Sequence, residues 1–284
     1  LNFTITLPPP IPAQRRTFTA IQALIFDKDG TLENSKVYLE KLTLERLRLL
    51  EKIAPGIGQP LAQAFGFDGQ RLNGAGLMGV GSRQDTVIAA AAYLTPRGHG
   101  WFDALSLSHG CFDQADRQVV ANAQTCPMFP GVAERLKIWA QRGLKIAIVS
   151  AARQSSVERF IADHQLAPWV TVALGSDRGL SKPDPALYQL ACQQLGVNPH
   201  QTLMIGDAQG DITMAQQAGA QGAIAIRWPG YQSPDLKAAD ATIEAIDHIQ
   251  CHDCGALTPA PNPPRTSQPG GKDGLTDRVD APTG

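Results

Sequence analysis

Short apolar runs alternate with longer amphipathic stretches along most of this chain. Ile21–Phe26, Leu144–Val149, Val170–Leu174, Thr202–Ile205 and Ala223–Ile226 have the length and composition of buried strands. Between the later runs, Ser155–His164, Ala186–Leu195 and the stretch ending near Ala218 read as helices. This alternation predicts an α/β fold, a mainly parallel sheet with helices on both faces. A different pattern follows the first run. Leu39–Ile53 (LEKLTLERLRLLEKI) carries apolar residues at helical spacing with charges on the other face. Asp85–Leu94 is Ala-rich and reads as a second helix, and Asp103–Ala123 holds one or two more. A small α-helical bundle is therefore expected between the first strand and the rest of the core.

The ends differ from the middle. Residues 1–16 contain Pro8-Pro9-Pro10 and begin with Leu, and they read as a loose leader. From about Ala256 the chain is rich in Pro, Gly, Ser and Asp without an aromatic residue, so residues 250–284 are expected to form a disordered tail. Cys251-His252-Asp253-Cys254 is half of a zinc-like spacing, but no second pair lies near, and it reads as an exposed end segment. The formal net charge of −1 does not favour nucleic acid as a partner. Five scattered cysteines suit a reducing compartment. Neither a signal-peptide pattern nor a membrane-spanning stretch is seen, so the expected location is the cytoplasm.

The chemistry gathers at the ends of the apolar runs. The first continues as Asp27-Lys28-Asp29-Gly30-Thr31-Leu32. Side chains two apart in an extended segment point the same way, so Asp27 and Asp29 are expected to face one site at the carboxyl end of the strand. Lys28 is then expected on the opposite face, solvated or paired there. Asp and Gly are also ordinary turn residues, so this stretch decides nothing alone. Three partners follow in order. Leu144–Val149 ends at Ser150-Ala151-Ala152; then comes Ser181-Lys182-Pro183-Asp184-Pro185; last is Leu203-Met204-Ile205-Gly206-Asp207, with Asp211 four residues on. Residues four apart share one face of a helical turn, so Asp207 and Asp211 can point together at a cation.

These four motifs, in this order, resemble those of the haloacid dehalogenase (HAD) superfamily over about Ala20 to Ile249. The resemblance implies a HAD-like Rossmannoid core built from residues 17–33 and 127–249, with residues 34–126 as a helical cap domain. It implies Asp27 as a nucleophile that forms an aspartyl phosphate, and Asp29 as the acid/base, protonated near neutral pH by crowding among carboxylates. Mg²⁺ would be held by Asp27, the backbone carbonyl of Asp29, Asp207 and Asp211, the last directly or through water. Thr31, Ser150, the Ala151 N–H and Lys182 would hold the phosphoryl group. Within Gly74–Arg83 the glycines permit close backbone approach, and Arg83 is a candidate for substrate contact, as is Arg153. The implied activity is hydrolysis of a small phosphorylated metabolite, as in the phosphoglycolate phosphatase group. A β-phosphoglucomutase-like mutase shares the motifs and the cap type. A phosphonate hydrolase would need a reactive cap lysine, and Lys36 and Lys41 have no recognisable context for that. A non-catalytic binding protein on the same fold is disfavoured by the intact Asp27, Asp29, Lys182 and Asp207.

Overall fold

Alternate residues of the apolar runs face opposite layers, and this dictates the architecture. The computed structural model describes residues 1–8, 17–176, 179–231 and 236–253. Among these, six strands form a parallel sheet in the order β5-β4-β3-β6-β7-β8. They are β3 (Ala23–Phe26), β4 (Lys145–Val149), β5 (Val172–Leu174), β6 (Thr202–Gly206), β7 (Gly222–Ile226) and β8 (Ala241–Ile243). On one face Leu24, Phe26, Ile146, Ile148, Leu203 and Ile205 pack against α6 (Val132–Gln141) and α7 (Gln154–Asp163). Phe26 stacks on Trp139 of α6 with ring centroids 6.1 Å apart. On the other face Ala23, Ile25, Ala147, Val149 and Met204 meet α8 (Pro185–Leu195) and α9 (Gln209–Ala218). With both faces covered, the strands are apolar throughout. β3 lies between β4 and β6, and its carboxyl end opens onto the crevice where such sheets bind ligands.

The stretch between β3 and α6 is helical, as its periodicity predicts. It comprises α1 (Lys36–Ile53), α2 (Gly58–Phe65), the short α3 (Leu77–Val80), α4 (Arg83–Leu94) and α5 (Trp101–Gln118). These helices share a hydrophobic cluster of their own, in which Phe65 meets Phe112 edge-on at 6.4 Å. A capping box starts α4: the Ser82 hydroxyl accepts from Asp85 N–H at 3.1 Å, and the Asp85 carboxylate accepts from Ser82 N–H at 2.8 Å. No helix of the described residues is long and apolar enough to cross a membrane.

Both ends of the chain correct the sequence reading. Residues 1–8 are not a loose leader. Phe3–Thr6 is strand β1, flanked antiparallel by β2 (Thr17–Ile21) and β9 (Gln250–Asp253). The reason is a period-two pattern, Phe3, Ile5 and Leu7, whose side chains are buried in the main core, a signal overshadowed by the proline run beyond it. Nor are residues 250–253 a free tail. Cys251 is buried, the Arg142 guanidinium donates to Cys251 O at 2.7 Å and to Asp253 at 2.7 Å, and His252 Nε2 lies 3.0 Å from Thr6 Oγ1. Cys254 and the remainder of the expected tail lie outside the described residues, as do residues 9–16. Because Ile5 is fully buried, Ile5→Ala is expected to cost about 2–5 kcal/mol in chemical denaturation. A leader without packing would give no change.

Candidate active site

Three strand ends bring the motif residues together. Asp27 follows β3, and its N–H still donates to Ile205 O of β6 at 2.9 Å, which fixes its backbone beside the end of β6. Asp207 follows β6, and Asp211 lies in the first turn of α9. The Asp211 carboxylate accepts from Ala208 N–H at 3.1 Å, closing the helix start. Gly206 leaves room for that carboxylate, since a Cβ there would collide with it. Lys182, before α8, ion-pairs with Asp27 Oδ1 and lies 2.6 Å from Asp211 Oδ1. Asp27, Asp207 and Asp211 each offer an oxygen within 4.8 Å of the others.

The turn after Asp27 differs from a simple extended strand. Gly30 adopts φ +75°, a conformation that glycine takes without a steric penalty, and a Cβ there would strike the Asp207 carboxylate. Thr31 is consequently carried inside. It is fully buried, does not line the cavity, and its hydroxyl donates to Asp207 Oδ1 at 3.4 Å, so it supports an acidic residue rather than facing a ligand. Lys28 is also corrected. It is buried, and its ammonium ion-pairs with Asp29 Oδ2 at 2.8 Å and with the buried Glu33. Backbone bonds from Leu32 and Glu33 N–H to Lys28 O, at 2.9 and 3.1 Å, curl the loop so that these three side chains meet.

The electrostatics split the two motif aspartates. Burial pushes the Asp27 carboxyl up, Lys182 pulls it down, and Asp211 and Asp29 push it up again, leaving it at about 7. Asp207 is raised well above the ordinary carboxylate range, first by burial and then by Asp27 and Asp211. The trio gathers three carboxyl groups around the single ammonium of Lys182, and its hard oxygen donors fit a divalent cation. Asp29 goes the other way. Burial raises it, but the Lys28 ammonium more than offsets this and holds it below the ordinary range. The expected protonated resting Asp29 is therefore replaced by an ionised one, because Lys28, a Ser35 hydrogen bond and Lys182 together outweigh its burial.

Above these residues lies a cavity of about 370 Å³, between the helical insert and the sheet. Ser150 and Ala151 line it, with the Ser150 hydroxyl accepting from Ala152 N–H at 3.1 Å. Gly79, Gly81 and Arg83 of the glycine-rich segment line it too. Arg83 and Arg153 both reach the cavity but are already paired: Arg83 lies 2.6 Å from Asp113 and 3.1 Å from Asp116, and Arg153 lies 3.2 Å from Asp113. The sequence reading missed Arg46, Asp113 and Asp116. A signal for Arg46 was present, since it interrupts the apolar stripe Leu39, Leu42, Leu50 of α1 on the buried face.

Comparison with known proteins gives a consistent outcome. A family model described as haloacid dehalogenase-like hydrolase matches residues 21–219. A phosphoglycolate phosphatase of Yersinia pseudotuberculosis is 27% identical over 205 residues, covering 71% of this chain and 79% of that protein. The crystal structure of a predicted phosphoglycolate phosphatase from Haemophilus somnus superposes with a TM-score of 0.59 at 20% identity, over 78% of this chain and 93% of that one. A β-phosphoglucomutase structure from Clostridium difficile gives 0.56 at 16% identity, over 81% and 93%.

Two outcomes test this electrostatic arrangement. Lys28→Met would strand the buried Glu33 carboxylate and the half-buried Asp29 one, and denaturation should show a loss of about 3–5 kcal/mol. The second concerns pH. The folded Asp27 carboxyl, at about 7, lies above its ordinary 3.8, so the folded state binds that proton more tightly. Its stabilising effect is full below the lower value and is lost as pH rises through the upper one. In chelator, the melting temperature of Asp27→Asn should therefore gain on wild type between pH 4 and pH 8. A gap that stays constant would contradict the assigned environment of Asp27.

Proposed function

The chain belongs to the haloacid dehalogenase-like hydrolase family, and within it we propose a Mg²⁺-dependent phosphatase that acts on a small phosphomonoester through an aspartyl phosphate. The observation that carries this reading is the Asp27–Lys182–Asp211 ion-paired cluster, with Asp207 beside it, at the floor of the cavity. The similarity to a phosphoglycolate phosphatase points the substrate towards a small phosphorylated metabolite.

Asp27 Oδ1 is oriented by Lys182, and its carboxylate attacks phosphorus while the alkoxide leaves. Lys182, the Ser150 hydroxyl and the Ala151 N–H hold the charge on the phosphoryl oxygens. Asp29 protonates the leaving oxygen and then takes a proton from the water that attacks the aspartyl phosphate. It rests ionised against Lys28 and takes up its proton as the phosphoryl dianion enters, since a nearby like charge raises a carboxyl. Asp27, Asp207 and Asp211, with the Asp29 carbonyl, would hold Mg²⁺, which supplies charge neutralisation between carboxylate and phosphate. The helical insert serves as a cap that excludes water over the reacting groups. Cys111, Cys126 and Cys192 are free thiols, which suits work in the reducing cytoplasm.

Phosphate release from a panel of small phosphomonoesters tests the reading. Turnover should need Mg²⁺, stop in chelator, and fall by at least about 10³-fold in Asp27→Asn. Turnover that survives in that variant, or that persists in chelator, would overturn it.

A further inference from the structure

Three charged side chains meet behind the turn that follows β3, and the mechanism above assigns a step only to Asp29. The side chains of Lys28 and Glu33 are 4% and 5% exposed, and they ion-pair with each other. Asp29, with 22% of its side chain exposed, lines the cavity, and its Oδ2 lies 2.8 Å from the Lys28 ammonium. A buried ion pair is a poor source of stability, because desolvation offsets most of the attraction. Two apolar side chains of similar size would hold the same turn, so stability alone does not account for the pair.

Glu33 is the fixed end of this array. Its N–H donates to Lys28 O at 3.1 Å, and its carbonyl accepts from Gly30 N–H at 2.9 Å. It also pairs with Met128, where the second segment joining the helical insert to the sheet runs alongside. There Asn34 N–H donates to Pro127 O at 2.8 Å and Phe129 N–H to Leu32 O at 3.0 Å. The Glu33 backbone is thus held from two sides, and its carboxylate holds the Lys28 ammonium, which lies 5.8 Å from the centre of the Phe160 ring. An ammonium has three donors, so it serves Glu33 and Asp29 at once. A free Asp side chain in a turn exchanges among staggered rotamers. One whose oxygen is bound by a buried, anchored cation keeps a single orientation.

We infer that Lys28, anchored by Glu33, is a positioning residue that holds the Asp29 carboxyl in line with the leaving oxygen of the bound phosphomonoester. The inference rests on the phosphatase reading above, in which Asp29 is the acid. In that step the Asp27 carboxylate forms a bond to phosphorus as the bond from phosphorus to the leaving oxygen breaks. The proton passes from the Asp29 carboxyl to the departing oxygen, giving an alcohol, an aspartyl phosphate and an Asp29 carboxylate. Misplacing such a group by about 1 Å costs on the order of 10²-fold in rate, so its orientation is worth fixing with a buried ion pair.

The test compares two esters of similar size in the first turnover with Mg²⁺, measured by rapid quench. Benzyl phosphate has an alkoxide that needs a proton to leave, and p-nitrophenyl phosphate has a phenolate that leaves without one. Lys28→Met combined with Glu33→Leu replaces the ion pair by apolar side chains of similar size, so the fold is retained. This double variant should lose about 30- to 100-fold on benzyl phosphate and less than about threefold on p-nitrophenyl phosphate. Glu33→Gln keeps Lys28 but removes the charge that anchors it. It should lose about 3- to 10-fold on benzyl phosphate alone, and it decides the matter if the double variant does not fold. A merely structural pair would slow both esters alike or, with stability restored, neither. Either result, or a faster benzyl ester, would overturn the inference. Wild type that cleaves neither ester would count against the phosphatase reading, and crystal structures then decide the positioning. The Asp29 carboxyl should shift by at least about 1 Å between wild type and the double variant, and an unmoved carboxyl would overturn the inference.

Discussion

The structure depends on one unfavourable act made tolerable: several carboxylates are buried at the ends of two adjacent parallel strands, and a single lysine is set among them. Lys182 touches both Asp27 and Asp211, and burial, which by itself would pull its ammonium down, is more than offset by these two neighbours. A charge buried without a partner would cost several kcal/mol, so Lys182 and the acidic residues hold each other in place. The excess of carboxyl oxygens over ammonium groups is the feature that suits a cation and, with it, a phosphoryl group. The sheet provides what this cluster requires, because β3 and β6 are neighbours and their ends place Asp27 and Asp207 side by side.

A second buried ion cluster sits one residue along. Lys28 joins Asp29 to Glu33, and the Trp228 indole donates to Thr31 O at 3.0 Å, so the loop after β3 is tied down on both sides. Two aspartates separated by a single residue thus occupy opposite electrostatic environments. One is pushed up by burial and by two nearby carboxylates against the pull of Lys182, and the other is held down chiefly by Lys28. Such separation of neighbouring carboxyl groups is how a site assigns different roles to identical side chains.

Much of this was legible in the sequence, for reasons that can be named. The parallel sheet could be read because its strands are buried on both faces and so appear as uninterrupted apolar runs. Asp27, Ser150 and Asp207 could be read because each directly follows such a run, and Lys182 and Asp211 because of the short motifs they sit in. The rest required three dimensions. Lys28 was placed on the far side by strand geometry, but Gly30 turns the chain at φ +75° and the strand ends at Phe26. Asp29 was expected to share the crowding of Asp27, which ignored the cation beside it. Phe3 and Ile5 were hidden by the neighbouring prolines, and their partner strand β9 lies almost the whole described chain away. Asp113 and Asp116 acquire meaning only when α5 is packed beside Arg46 and Arg83.

The most direct test of the central claim is chemical capture of the covalent intermediate. Wild-type protein turning over a phosphomonoester with Mg²⁺ would be quenched rapidly, reduced with borohydride, and mapped by peptide mass spectrometry. An aspartyl phosphate is reduced to homoserine, and the account predicts that conversion at Asp27 and at no other aspartate. Turnover with no reduction at Asp27, or reduction at a different carboxylate, would contradict it.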